Sequence, residues 1–316
     1  MALISQDEVE HAARLLRAGK LVALPTETVY GLGANALDPQ AVARIFAVKG
    51  RPGTNPLIVH VASIEMAKSL VTNWPDVAEQ LAQKFWPGPL TLVLPTTAEL
   101  ISPMVTAGLS SVGLRMPAHA AALALIRAAG VPLAAPSANR FTQLSPTTAD
   151  HVRRGLGSDV DYVVDGGACQ VGIESTVLSL VDSEPVLLRP GVVSRRELET
   201  VIGPVTTTAA PGLGAHPSPG MHPRHYSPRT PFLLTTSGKL PPQGRGVYLQ
   251  YQHPPGREDV PVRQMPLSAA DYAAALYREL HVADAENYAW IAVDLPPQSH
   301  QWEAVHDRLR RAASKG

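Results

Sequence analysis

Cysteine is almost absent from this chain of 316 residues. Cys169 stands alone, which excludes an intramolecular disulfide and any paired-cysteine zinc site. An excess of one charge is missing as well. Lys and Arg together number 27 and Asp and Glu 27, so the formal net charge is zero. A chain built mainly to grip duplex nucleic acid carries a basic surplus, so any contact with RNA here would be weak and local. No apolar run approaches the roughly 20 residues of a membrane-spanning helix. The opening MALISQDEVEHAARLL lacks the basic-then-apolar order of a secretory signal. These absences lead to the expectation of a cytoplasmic protein in a reducing compartment, without a membrane partner.

What is present is an ordinary globular balance, 45% hydrophobic and 17% charged, on a chain long enough to bury two cores. Up to about Gly203, short apolar runs alternate with amphipathic stretches, the pattern of a mixed α/β domain. The runs predict strands at Leu21–Leu24, Leu57–Val61, Leu90–Leu94, Val112–Arg115, Leu133–Ala135, Tyr162–Val164, Thr176–Val181 and Val186–Leu188. Asp38 before Pro39 reads as a helix N-cap and first turn, with Gly50 as the stop. A second helix covers Ala118–Ala129, and Ser145-Pro146-Thr147 opens a third that closes near Gly155. Several strands follow one another without a helical crossover, so the sheet should be mixed rather than doubly wound and parallel.

Proline is the unusual number, 30 residues, many of them in two clusters. Composition divides the chain into a first domain over 1–203, a Pro/Gly-rich linker over 204–230 and a small α/β domain over 231–316. In the last, Pro231–Leu234, Val247–Leu249 and Trp290–Asp294 read as strands, and Ala269–Leu280 and Gln301–Ala313 as helices. There are no internal repeats. The linker is not a plain spacer, because SPGMHPRHYSP holds an arginine, two histidines and a tyrosine.

Several motifs carry chemistry. Gly31-Leu-Gly-Ala-Asn-Ala36 fits the dinucleotide fingerprint G-x-G-x-x-A. That fingerprint needs a helix starting at the glycines, and here the start signal comes later, at Asp38-Pro39. The glycines are therefore expected to form a tight turn supporting Thr28. Before them, Pro25–Tyr30 packs hydrogen-bonding side chains into a strand-end loop, where scaffolds present function. Lys49-Gly-Arg51-Pro-Gly-Thr-Asn55-Pro is a stiff basic loop past a helix end that suits a polyphosphate. A helix cap explains one cation there, but not the Arg, Thr and Asn that follow. His60 ends an apolar strand, where a histidine by itself is ordinarily a satisfied core group. Ser111 and Arg115 share a strand face with Gly113 between them, and Arg115 needs an anion from protein or ligand. Pro136-Ser137-Ala138-Asn139 lacks the G-x-S-x-G elbow, so Ser137 is a cleft or turn hydroxyl rather than a nucleophile. His222 and His225 make a poor metal pair, with prolines beside them and no acidic cluster.

Taken in order, LPTETVYGLGANA, KGRPGTNPLIVH, SSVGLRMP, APSAN, GIESTV, LLRPG and SPGMHPRHYSP, with HDRLRRAA near the end, resemble the YrdC-type threonylcarbamoyl-AMP synthases in their long form. The resemblance implies a twisted mixed YrdC-like sheet with flanking helices, plus a small Rossmann-like C-terminal α/β domain. It implies condensation of L-threonine, bicarbonate-derived CO2 and ATP to threonylcarbamoyl-AMP and pyrophosphate, an adenylyl transfer. The product would pass to the enzymes that transfer threonylcarbamoyl to tRNA, next to the anticodon. It further implies that Thr28, His60, Arg115, Ala135 and Ser175 hold threonine. Arg51, Asn55, Ser111, Ser137, Ser145, Arg189 and Tyr226 would hold ATP, with Lys49 and Arg51 stabilising charge and no covalent nucleophile. Mg2+ would come with the nucleotide, with no metal held by the protein alone. Because Tyr226 lies in the linker, the linker would close over the cleft as a lid. Two other readings rank lower. One is an RNA-binding protein using Arg44, Lys49, Arg51, Arg140, Arg153 and Arg154. The other is a carbamoyltransferase-type enzyme, for which the chain has no further catalytic or zinc module.

Overall fold

The computed structural model describes residues 4–207 and 225–314. The chain runs through α1 (Gln6–Arg17), β1 (Val22–Leu24), β2 (Gly31–Asn35), α2 (Pro39–Lys49), β3 (Ile58–His60), α3 (Ile64–Lys68), α4 (Asp76–Phe85) and β4 (Leu90–Pro95). Next come α5 (Pro103–Thr106), β5 (Ser111–Arg115), α6 (Ala120–Ala129), β6 (Leu133–Ala134), α7 (Ala149–Leu156) and β7 (Tyr162–Val163). The first sheet is completed by β8 (Thr176–Ser179), β9 (Val186–Arg189), α8 (Arg195–Ile202) and β10 (Thr206–Thr207). The last segment holds β11 (Phe232–Thr235), β12 (Gly246–Gln250), β13 (Val262–Gln264), α9 (Ala269–Ala285), β14 (Trp290–Asp294) and α10 (Glu303–Ala313).

Ten strands form one mixed sheet in the order β10-β9-β8-β4-β5-β3-β6-β2-β1-β7. Antiparallel pairs such as β4 with β5 alternate with parallel ones such as β3 with β5. Its strands serve two cores by simple alternation. Leu21 and Ala23 enter a core lined by α2, α4 and α8, whereas Val22 and Leu24 enter one lined by α1 and α6. Helices thus cover both faces, which is why these strands read as continuous apolar runs. The remaining four strands form a parallel sheet, β11-β14-β12-β13, as expected for a small α/β unit.

Local signals were accurate where local chemistry decides. Asp38 caps α2 through the amides of Gln40 and Ala41, Pro39 opens it, and Gly50 closes it in the left-handed region. Two expectations need correction. Gly31–Asn35 is strand β2, not a tight turn. A Cβ on Gly33 would stand 2.7 Å from Leu24 Cδ2 and 3.1 Å from Val22 O, so the bare backbone is what lets β1 and β2 close. Helix α7 starts at Ala149 with Thr148 as its cap, after the expected Ser145–Thr147 start. The Pro146 carbonyl is instead taken by the Tyr30 amide at 2.8 Å. Strand β13 escaped notice because its side chains are mostly exposed and lack an apolar face.

A third apolar core joins the two sheets. It combines Val29, Leu144, Ile173 and Tyr226 with Leu249, Tyr272, Leu276, Tyr277 and Leu309. Gly172 marks the closest approach. Its φ is +76°, and a Cβ there would stand 2.6 Å from both Ala273 O and Ala274 Cα of α9. Gly172→Ala should therefore cost about 2 kcal/mol or more, from strain and overlap together. The expected result is a lower urea midpoint by circular dichroism. An unchanged midpoint would show that α9 does not press on this glycine.

Candidate functional site

At one edge of the large sheet, β3, β5 and β9 end and β8 begins, and a cavity of about 530 Å³, open mouth included, lies against them. Its lining brings together Thr28, Arg51, His60, Arg115, Ala135, Ser137, Ser175, Arg189 and Tyr226 from the sequence-derived set. Lys49, Asn55, Ser111 and Ser145 do not line it. Lys49 donates to Asn139 O at 2.6 Å and to Ser137 O, so it clamps the loop that carries Ser137. The Asn55 carbonyl accepts from Arg51 Nε at 3.3 Å, which aims the guanidinium. Ser111 sits half-buried at the far end of β5, opposite Pro95. Ser145 is fully buried and donates to Glu174 Oε1 at 2.5 Å.

One wall is built from a threonine turn and a histidine–arginine pair. Thr26 Oγ1 accepts from the Thr28 and Val29 amides, each at 3.2 Å, and lies 2.8 Å from Thr28 Oγ1. This local turn fixes the Thr28 hydroxyl at the cavity. Register places His60 beside Arg115 across β3 and β5. Burial first, and then Arg115, hold the His60 imidazole down to about 3, so the ring is neutral at physiological pH. Its Nδ1 has no partner among the described residues. Arg115 finds its anion in Glu27, 2.7 Å away in a buried pair. Arg115 Nη2 and Glu27 Oε1 face each other out of hydrogen-bond alignment, and neither makes another bond among the described residues. Glu27 Oε2 accepts from the Ala118 amide at 3.0 Å. Tyr30, by contrast, is a scaffold residue whose hydroxyl donates to Gly167 O at 2.7 Å.

The lining also carries the buried cations Arg51 and Arg189. Arg51 donates to the Asn55 and Pro56 carbonyls, and burial lowers its guanidinium to about 10. Lys49 is lowered further by burial and by Arg51. Among the described residues neither cation has a carboxylate within ion-pair distance. Buried charge left to carbonyls is a standing invitation to an anionic ligand. Arg189 donates to Ser175 O at 2.9 Å, to Ser175 Oγ at 3.1 Å and to Tyr226 Oη at 3.4 Å. Tyr226 is buried at a φ of +60°, and burial, then Glu174, raise its phenol above the ordinary value. Beside it His225 is kept neutral by burial and by Arg51 and Lys49. Of the linker over 204–230 expected to form a lid, 204–207 and 225–230 are described and His225 and Tyr226 line the cavity, whereas 208–224, with His222, lie outside the described residues.

Sequence reasoning passed over Glu27 as the partner of Arg115, and Glu174 and His225 as lining residues. All three lie inside motifs already singled out. What the sequence could not show is their pairing, since Glu27 and Arg115 meet only through the sheet register. The surface arginines of the RNA reading are engaged elsewhere. Arg44 pairs with Asp161, Arg140 with Asp159, and Arg153 with Asp150 and Asp165.

Comparison with known proteins bears on the family. Residues 14–191 match the Sua5/YciO/YrdC family model, described as telomere recombination. Residues 193–314 match the model described as threonylcarbamoyl-AMP synthase, C-terminal domain. A threonylcarbamoyl-AMP synthase of Bacillus subtilis (strain 168) is 42% identical over 325 residues, 97% of this chain and 93% of its own. One of Pyrococcus abyssi is 50% identical over 234 residues, 73% of this chain and 68% of its own. The crystal structure of P. abyssi Sua5 complexed with L-threonine aligns with a TM-score of 0.91 at 38% identity, covering 99% of this chain and 96% of that one.

The neutral histidines make the fold sensitive to acid. Unfolded, His60 binds a proton near its ordinary 6.5; folded, it does so only near 3. The stabilisation is complete above pH 6.5 and drains away as pH falls towards 3. Between pH 6 and 4, His60→Gln should lower the slope of unfolding free energy against pH by about 1 kcal/mol per pH unit. Parallel slopes for variant and wild type in urea titrations would refute this.

Proposed function

The chain belongs to the threonylcarbamoyl-AMP synthase family in its two-domain form, and from that premise we propose that its cleft condenses L-threonine, bicarbonate and ATP. The threonine amino group captures CO2 released from bicarbonate, giving a carbamate. A carbamate oxygen then attacks the α-phosphorus of ATP, and the bond to the β-phosphate oxygen breaks. Threonylcarbamoyl-AMP and pyrophosphate leave, so the enzyme is a nucleotidyltransferase. The product goes on to the enzymes that modify tRNA beside the anticodon.

One observation carries the reading: a single cavity is lined both by the Thr28 hydroxyl with the His60–Arg115 pair and by the buried cations Arg51 and Arg189. Thr28, His60, Arg115, Ala135 and Ser175 form the amino-acid end. The neutral His60 and the imperfectly aligned Glu27–Arg115 pair leave both an acceptor and a donor for a zwitterionic substrate. Arg51, Ser137, Arg189 and Tyr226 form the nucleotide end, supported from behind by Lys49, Asn55 and Ser145. Attack at phosphorus needs in-line placement and balanced charge more than a protein nucleophile, and fixed guanidinium groups provide both. Burial of Tyr226 and His225 in the wall also excludes water, which protects the carbamate and the adenylate.

Mg2+ enters as part of the ATP substrate. The lining offers the carboxylate of Glu174, whose oxygens already accept from Ser145, Tyr277 and Arg308. No group of three or more metal-binding side chains occurs among the described residues. The phosphates and water would therefore supply the metal's ligands. Likewise, no helix among the described residues is long and apolar enough to cross a membrane.

Pyrophosphate release from ATP should require threonine and bicarbonate together, and release that ignores either would sink the proposal. Arg51→Ala should raise the KM for ATP by roughly 10- to 100-fold, the loss of a charge-assisted contact. Thr28→Val should raise the KM for threonine several-fold and leave that for ATP nearly unchanged. Equal effects of Thr28→Val on both constants would contradict the two-ended cleft.

A further inference from the structure

A fully buried charge outside the cleft's own cations belongs to the C-terminal segment. Arg308 of α10 is fully buried, yet it reaches the first sheet's loop over residues 173–175. Its Nε donates to Glu174 Oε2 at 2.8 Å and its Nη2 to Glu174 O at 3.2 Å. Its Nη1 donates to Pro190 O at 3.0 Å and to Asp307 Oδ2 at 2.6 Å. The same guanidinium lies 5.3 Å from the ring centroid of Tyr226. Tyr277 of α9 adds a second tie, donating to Glu174 Oε2 at 3.1 Å, with its ring 5.9 Å from that of Tyr226.

A bare salt bridge is a weak reason to bury a charge, because desolvation offsets most of the attraction. This one is placed where it fixes something else. Glu174 accepts the Ser145 hydroxyl through its other oxygen. Its backbone runs directly into Ser175, whose carbonyl and hydroxyl receive Arg189. Tyr226 is trapped between Arg308, Tyr277 and Arg189. Ser175 and Tyr226, which line the cavity, and Ser145 behind it are thus tied to two helices of the C-terminal segment, Ser145 and Ser175 through Glu174 and Tyr226 through Arg308 and Tyr277.

Resting on the functional reading above, we infer that Arg308 and Tyr277 are positioning residues for the reaction, and that the C-terminal segment completes the nucleotide end of the site through Glu174. A planar fork suits this task and an ammonium does not, because Glu174 is held at its side chain and its backbone at once. Tyr226, which lines the proposed nucleotide end, and Ser145, which supports it from behind, outnumber Ser175 at the amino-acid end. Loosening the node should therefore act on ATP before it acts on threonine.

The full-length protein allows a direct test. Removing Arg308 alone would strand Glu174 as an unpaired buried charge, so the double variant Glu174→Gln/Arg308→Met removes both charges. Asp307 keeps Arg311 as its partner in that variant. It should fold, raise the KM for ATP about tenfold and lower kcat by on the order of 10²-fold, as misplacement near a reacting centre does. The KM for threonine should move much less. Tyr277→Phe should shift the same constants in the same direction by a smaller factor, and Arg308→Lys should fall between Arg308→Met and wild type. Arg310→Ala, on the exposed side of the same helix, should match wild type. General destabilisation lowers the active fraction without moving either KM, so a folded double variant with an unaltered ATP KM would overturn the inference. Calorimetric ATP affinity separates this from the functional reading. Wild type lacking threonine-dependent pyrophosphate release defeats that reading, whereas equal ATP affinity in wild type and double variant defeats the node.

Discussion

The architecture of the site depends on two buried cations, Arg51 in the cleft and Lys49 behind it, that have no carboxylate within ion-pair distance among the described residues. Lys49 and Arg51 are buried against carbonyl oxygens, which satisfy their N–H groups and leave their charge uncompensated. Such an arrangement is costly in an empty fold and is recovered when an anion binds. The surrounding architecture can be read as the means of tolerating it. Carbonyls at strand and helix ends are fixed by the sheet and cannot relax away. The α2 stop at Gly50 delivers Lys49 and Arg51 side by side to those carbonyls.

The amino-acid end is treated differently. There the arginine has a carboxylate, Glu27, and the histidine beside it is forced neutral by burial and by that same arginine. Net charge is low, and the polarity comes from oriented groups with unfilled hydrogen bonds. A cavity with a cationic end and a near-neutral polar end discriminates by position. Under the proposed function, a polyphosphate would settle at one side and a zwitterion that carries both its own charges at the other.

The two sheets are not independent beads on a string. Their shared core packs Val29, Leu144, Ile173 and Tyr226 against α9 and α10, and Gly172 lets α9 approach to backbone contact. Once the apolar faces have met, Arg308 and Tyr277 find Glu174 already presented. Hydrophobic burial provides the association, and the polar node fixes its register, which is the division of labour expected of a buried ion pair.

The sequence by itself determined what depends on neighbours along the chain. Asp38, Pro39 and Gly50 set the limits of α2, and continuous apolar runs announced most of the first sheet's strands. The ordered motifs pointed to nine of the residues that line the cavity. Only the tertiary structure decided what depends on residues far apart. Gly31–Asn35 became a strand because the backbones of β1 and β2 need room that glycine alone leaves. Lys49 became a loop clamp because the Ser137 and Asn139 carbonyls lie within its reach. Arg308 joined the site because a guanidinium buried by helix packing must meet an anion, and the fold offers Glu174, 134 residues away in the chain. Local signals are written in dihedral preferences and caps. A charge pair is written only in the distance between two side chains, and no spacing in a linear sequence contains it.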